Sequence, residues 1–244
     1  MKRFKADLHI HTALSPCAET QMSPPAIVEE AIGKGLDMIA VCDHNAAGNT
    51  AAVKKAAGNN IAVIAGMEIT TVEDIHVLGL FPQEDAACLA ANKVGATLPL
   101  VKKSSDQPSS QLLMDENARI LGTEPKILAA SSTLSLKECI ALIKKHRGLA
   151  VAAHVNRPCF SVLSQLGLFP KNAGFDAIEI FSKARSPPLA KEYVSFGLPI
   201  IISSDSHFLV EIGSATTMIE MKKPAFDELA LAIKGVAGRR CFHA

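Results

Sequence analysis

Short apolar runs, each ending at or beside a polar residue, recur along this chain: "LDMIAVC" before Asp43, "IAVIAGM" before Glu68, "LAVAA" before His154, "FDAIEIF" from Phe175, and "PIIISS" before Asp205. Runs that are apolar at successive positions, rather than at every second one, predict strands buried on both faces. Between them the period lengthens to that of a helix. In "SPPAIVEEAIGKG", Ser23 is placed to cap, prolines fill the first turn, Ile27, Val28, Ala31 and Ile32 share a face, and Gly33 and Gly35 end the run. Further helices are predicted near 50–57, 84–94, 136–147 and 188–196, with Ser135 and Glu138 forming a capping box for the one at 136–147. Strands alternating with helices predict an α/β fold with a mostly parallel sheet, as a barrel or a doubly wound sheet.

Two segments break the alternation. In "EITTVEDIHVLGLF" too few residues separate Thr70 from His76 for a parallel crossover, so the strand carrying His76 is predicted to run antiparallel to the one before it. Glu68 and His76 then face the same mouth. Residues 82–134 fit the pattern poorly; with the polar "KKSSDQPSS" and a predicted surface hairpin in "QLLMDENARILG", they read as an insertion or flap bordering the site of a single domain spanning 1–244.

Composition narrows this picture. With 48% hydrophobic and 20% charged residues and a formal net charge of +1, the chain has the means to build a core. The near-zero charge predicts a small phosphorylated substrate or short nucleotide rather than long duplex nucleic acid, which draws on many phosphate contacts. Six scattered cysteines without a C-x-x-C pair suit a reducing compartment. The start "MKRFKADLHIH" runs directly into the candidate site, and no apolar run reaches the ~20 residues of a membrane span, so a cytoplasmic protein without membrane partners is expected. Oligomeric state is not legible.

The candidate chemistry lies where the strands stop. In "DLHIH", strand periodicity turns His9 and His11 to one side and Leu8 and Ile10 to the other. His44, His76, His154 and His207 also fall at predicted strand ends, as do Asp43, Glu68 and Asp205. A lone strand-end histidine is commonly a cap or a satisfied core residue. So many ligand types at one rim instead imply a metal centre, and since four donors saturate one tetrahedral zinc, two or three ions. Of the other two histidines, His146 suits the last turn of a helix and His243 lies in the C-terminal tail.

"DLHIHTALSP", "CDHN", "GMEIT", "IHVLGL", "AAHVNRP" and "SSDSH", in this order, resemble the polymerase and histidinol phosphatase (PHP) family from residue 6 to about 220. The resemblance implies a distorted seven-stranded, TIM-like β/α barrel whose two or three divalent ions (zinc, iron or manganese) hydrolyse phosphoesters with a metal-activated water. It implies metal ligation by His9, His11, His44, Glu68, His76, His154, Asp205 and His207. Asp43 is expected behind a ligand histidine, orienting it. Cys17 stands where many members carry His or Asp, and as a thiolate it is a candidate ligand for a third ion. Asp205 and His207 are the candidate catalytic residues, with His207 or a metal-bound water as proton donor. Arg157, Lys183 and Arg185 are candidate phosphate-binding residues. Two other classes share the ligands: a metal-dependent amidohydrolase, and a non-catalytic module stabilised by its metals.

Overall fold

The continuous apolar runs become the strands of one curled sheet in the computed structural model, which describes residues 1–101, 111–181 and 191–242. In chain order its elements are β1 (Lys2–Ile10), α1 (Pro24–Gly33), β2 (Met38–Val41), α2 (Thr50–Ala57), β3 (Ala62–Thr70), β4 (His76–Phe81), α3 (Glu84–Gly95), β5 (Leu112–Met114), β6 (Ile120–Thr123), α4 (Leu136–Lys145), β7 (Leu149–Ala152), α5 (Val162–Leu166), β8 (Ala177–Phe181), α6 (Lys191–Val194), β9 (Ile200–Ser203), β10 (Thr217–Met221), α7 (Phe226–Ile233) and β11 (Arg240–Phe242). The sheet order is β11-β10-β1-β2-β3-β4-β7-β8-β9, nine strands rather than the seven expected. The difference arises at one edge. The first half of β1 pairs antiparallel with β10, and β10 with β11. β10 shows the alternating burial of a half-covered strand, with Thr217, Ile219 and Met221 buried.

The sheet nearly closes into a barrel at one rim. There Ile10 bridges Ser206, the His11 amide donates to the Ser206 carbonyl at 2.9 Å, and the Ser206 amide donates to the His9 carbonyl at 3.2 Å. β3 and β4 form the predicted antiparallel hairpin, with Thr70 opposite His76. Below the rim, Ala6, Leu8, Met38, Ala40, Leu78 and Val151 belong to one buried cluster, which Leu229 and Ile233 of α7 join. Gly66 is required where β2 and β3 approach, because a Cβ there would lie 2.5 Å from Cys42 Sγ and 2.7 Å from the Val41 carbonyl.

A bulge changes the reading of the opening strand. Between the pairs Asp7–Ile39 and Ile10–Val41, β1 carries one residue more than β2. The extra residue re-aims the strand. Leu8 stays in the central cluster below the rim while His9 and His11 turn into the mouth above it, and Ile10 joins the outer cluster under α1. Simple alternation had set Leu8 opposite the histidines.

The capping box of α4 is present, and α1 buries Ile27, Val28 and Ala31, whereas Ile32 is 44% exposed. The described residues of 82–134 add no strand to the main sheet. Their β5–β6 hairpin docks on the loop after β1, with the Leu112 amide donating to the Ala13 carbonyl at 2.8 Å and Asn49 bonding both Leu112 and Met114. No helix among the described residues is long and apolar enough to cross a membrane.

Candidate metal centre

The rim gathers side chains from six strands and the loops that follow them. His9 and His11 come from the end of β1, His44 from after β2, Glu68 from β3, His76 from the start of β4, His154 from after β7, and Asp205 and His207 from after β9. His9, His11, Glu68 and Asp205 form one group of converging donor atoms; His44, Glu68 and His76 form a second; His11, His44 and His207 form a third. His154 Nε2 lies 3.1 Å from Glu68 Oε1, and His76 Nδ1 2.8 Å from the same oxygen. Glu68 is therefore the hub, its Oε2 facing His44 at 3.1 Å, His11 at 3.4 Å and His9 at 3.5 Å. His154 and Asp205 occupy left-handed backbone conformations, φ +27° and +51°. Such conformations are sparsely populated and persist where the surroundings enforce them.

Partners on the Nδ1 side fix where three of the imidazole protons sit. Ser15 Oγ donates to Asp43 Oδ1 at 2.7 Å, so it accepts from His11 Nδ1 at 2.9 Å. The Glu179 carboxylate, 3.1 Å from His9 Nδ1, accepts there likewise, and the Asp205 carbonyl takes the His207 Nδ1 proton at 2.9 Å. The Nε2 atoms of His9 and His11 are then left 3.1 Å apart and within 3.1–3.4 Å of Asp205 Oδ1. Acceptors this close, buried together, need a cation or a shared proton between them. His154 Nδ1 is buried without a hydrogen-bond partner among the described residues. The donor set, imidazole nitrogens with two carboxylates, suits zinc, iron or manganese.

The electrostatics agree. Burial alone would raise the Glu68 carboxyl, but His76, His9 and His44 hold it well below the usual range, and Asp205 is held down in the same way by His9 and His11. Burial would likewise depress His9, yet Glu179, Asp205 and Glu68 outweigh it and lift the ring well above its ordinary value; Asp205 and Glu68 do the same for His11. Burial, helped by His11, pushes His207 down to about 4, and His44 falls well below its usual value for similar reasons. The His207 ring, its Nδ1 engaged by the Asp205 carbonyl, stacks on His11 with centroids 4.1 Å apart.

Asp43 stands behind His11, holding Ser15 and both the amide and hydroxyl of Thr12. Arg157 reaches the site, its Nη1 2.7 Å from Asp205 Oδ2 and its guanidinium carbon 4.0 Å above the Phe181 ring. Cys17 is exposed and belongs to none of the three donor groups among the described residues; lost hydration and then the charge of Glu68 raise its thiol to about 12. Lys183 and Arg185 lie outside the described residues. Glu179 is the participant the sequence reading missed. It is fully buried, and besides holding His9 it accepts the His154 amide at 3.0 Å. Its only signal was being the second acid in the otherwise apolar run "FDAIEIF", after Asp176. Because partners behind a ligand typically tune affinity 10–100-fold, Glu179→Gln is expected to weaken metal binding by about that factor, measured by competition with a chelating dye. An unchanged affinity would remove Glu179 from the site.

A model of the PHP domain matches residues 7–165, and a model described as PHP-associated matches residues 189–236. The chain belongs to the PHP domain family. Among solved structures, this PHP chain is similar to the lesion-specific endonuclease PfuEndoQ from Pyrococcus furiosus, with TM-score 0.76 and 21% identity over 98% of this chain and 58% of that one. A complex of endonuclease Q with a 27-mer duplex carrying an abasic lesion matches at TM-score 0.75, with 20% identity and the same coverage. A protein proposed to be a metal-dependent phosphoesterase, from Bifidobacterium adolescentis, matches at TM-score 0.57 and 19% identity, covering 83% of this chain and 87% of that one. At these identities the likeness is one of fold. Among curated proteins, the uncharacterized protein MJ1587 of Methanocaldococcus jannaschii is 34% identical over 91 residues, 34% of this chain and 53% of that protein. The chain thus spans little more than half the length of endonuclease Q.

The family is thus shown, and the described residues hold a buried His/Glu/Asp cluster able to bind a metal ion. The similar structures also overturn the expectation about partners. The argument from near-zero net charge against long duplex nucleic acid fails, because a structure of closely similar fold is seen with a 27-mer duplex. Net charge sums the whole surface, whereas binding depends on the charge at the mouth, to which Arg157 and any bound ions contribute.

Proposed function

We propose that this chain is a metal-dependent phosphoesterase, with nucleic-acid phosphodiesters within its substrate range. The observation that carries the reading is the pair of buried Nε2 atoms of His9 and His11 facing Asp205 and Glu68 with their Nδ1 positions already engaged. One ion would be held by His9, His11, Glu68 and Asp205, and a second by Glu68, His44 and His76 with His154 alongside; His11, His44 and His207 offer a third position. Paired divalent ions supply positive charge to phosphoryl oxygens and a nucleophile available at neutral pH. The protein's own part is positional. Glu179 and Ser15 fix the tautomers of His9 and His11, and Arg157, held over Phe181 beside Asp205, presents a planar cation suited to phosphoryl oxygens. That cation at the mouth favours an anionic ester over an amide. Pairing of β10 with β1 supports treating the chain as one domain, with 82–134 as an excursion from it.

The test is a turnover screen of metal-loaded protein against phosphomonoesters, single-stranded and duplex phosphodiesters, cyclic amides and carboxylic esters. Metal-dependent cleavage of phosphoesters alone is expected, with Cys17→Ala retaining full metal content. Amide cleavage without phosphoester cleavage would transfer the chain to the amidohydrolase class.

A further inference from the structure

At the mouth Phe160 is used by neither the core nor the donor set. Phe160 is 42% exposed and joins none of the apolar clusters of the described residues. Its backbone sits at φ +57°, a region that bulky residues rarely adopt and that functional sites accumulate. The conformation is held in place, since the Phe160 carbonyl accepts the His76 amide at 2.8 Å. As a result the phenyl ring lies nearly parallel over the His76 imidazole, with centroids 4.7 Å apart and planes 18° apart. One face of the ring is occupied by a member of the donor cluster. The exposed remainder is a flat aromatic surface beside the place where a phosphoester would lie.

The same short segment carries Arg157, whose guanidinium stands beside Asp205. A cation for the phosphate and a π face next to it are complementary to a phosphoester bearing a flat aromatic group, and the group that phosphodiesters of nucleic acid carry is the nucleobase. Base–aromatic stacking tolerates any sequence because every base has such a face. We propose that Phe160 is a stacking platform for an unpaired base of the nucleic-acid strand whose phosphodiester lies at the metal centre. The proposal rests on the phosphoesterase reading and narrows its substrate to strands with an accessible base at that point.

The chain contains no tryptophan, so Phe160→Trp introduces a sole indole as reporter. Metal-loaded Phe160→Trp is titrated with oligothymidylate and with an abasic phosphodiester of the same length. Saturable quenching by the thymidylate, at least about tenfold tighter than by the abasic strand, is expected. In turnover, the ratio of KM for the abasic strand to KM for the base-bearing strand should fall about tenfold in Phe160→Ala and recover in Phe160→Trp. Equal quenching by the two strands, or an unchanged KM ratio in Phe160→Ala, would overturn the proposal and leave Phe160 as a cover for His76. Failure of the phosphoesterase reading shows separately, as absence of turnover of both strands and of bis(p-nitrophenyl) phosphate by the unaltered protein, while quenching still decides the role of Phe160.

Discussion

Glu68→Gln is expected to reduce turnover by about three orders of magnitude or more and to lower the bound metal by at least one equivalent, with the folded state retained. Glu68 touches His76, His154, His44, His11 and His9, so it is shared by two of the three donor groups. Glutamine keeps the shape and removes the charge. A ring of imidazoles then faces a neutral amide whose NH2 group donates where an ion must bind. Metal ions stabilise the charge of such reactions by several kcal/mol, and each ~1.4 kcal/mol is a factor of ten in rate. Metal analysis, phosphate release and a circular-dichroism melt on one preparation check the three parts. Full metal content with full activity would refute the hub role, and an unfolded variant would be replaced by Glu68→Asp, for which intermediate metal content is expected.

Stripping the metal should lower the melting temperature by about 8–16 °C at neutral pH. A ligand present at a thousand times its Kd stabilises by roughly 4 kcal/mol, and for a chain of this size each kcal/mol moves the midpoint by about 2–4 °C. The pH dependence has a defined sign. His9 and His11 are lifted above their ordinary values in the metal-free protein, so what they contribute to its stability is fully present below the unfolded imidazole range and is lost as pH rises through their folded values. Metal binding must displace those protons. The gap between metal-loaded and metal-free melting temperatures should therefore widen from pH 6 to pH 8, and calorimetry in buffers of differing ionisation enthalpy should register proton release on metal uptake. A gap that narrows over this range would mean that the metal binds elsewhere.

Most of the donor cluster was legible because its members end apolar strands, and because the short link from Thr70 to His76 permits only a hairpin, which sets His76 beside Glu68. The capping box of α4 and the β5–β6 hairpin were legible for similarly local reasons. What stayed hidden depends on distant pairing. The bulge that turns His9 and His11 inward past Leu8 exists only because β1 carries an extra residue against β2. Glu179 reads as a stray acid until its strand is placed beside His9 and His154. The strands β10 and β11 are short, and only the pairing of β10 with β1 and of β11 with β10 gives the sheet nine strands among the described residues. The expectation against duplex nucleic acid failed because a summed charge says nothing about where the charges sit.

The closure of the sheet between Ile10 and Ser206 also sets a timetable for synthesis. His11 meets Asp205 across a separation of 194 residues, and the antiparallel partner of β1 lies later still, in β10. A nascent chain therefore exposes its first two histidines early and completes their pocket only when nearly all the residues described here have left the ribosome. Until then Glu68, His76 and His154 can gather around the β3–β4 hairpin, but the pair that faces Asp205 cannot be enclosed. Completion of the donor group His9, His11, Glu68 and Asp205 is in this way deferred until the first strand meets the segment after β9.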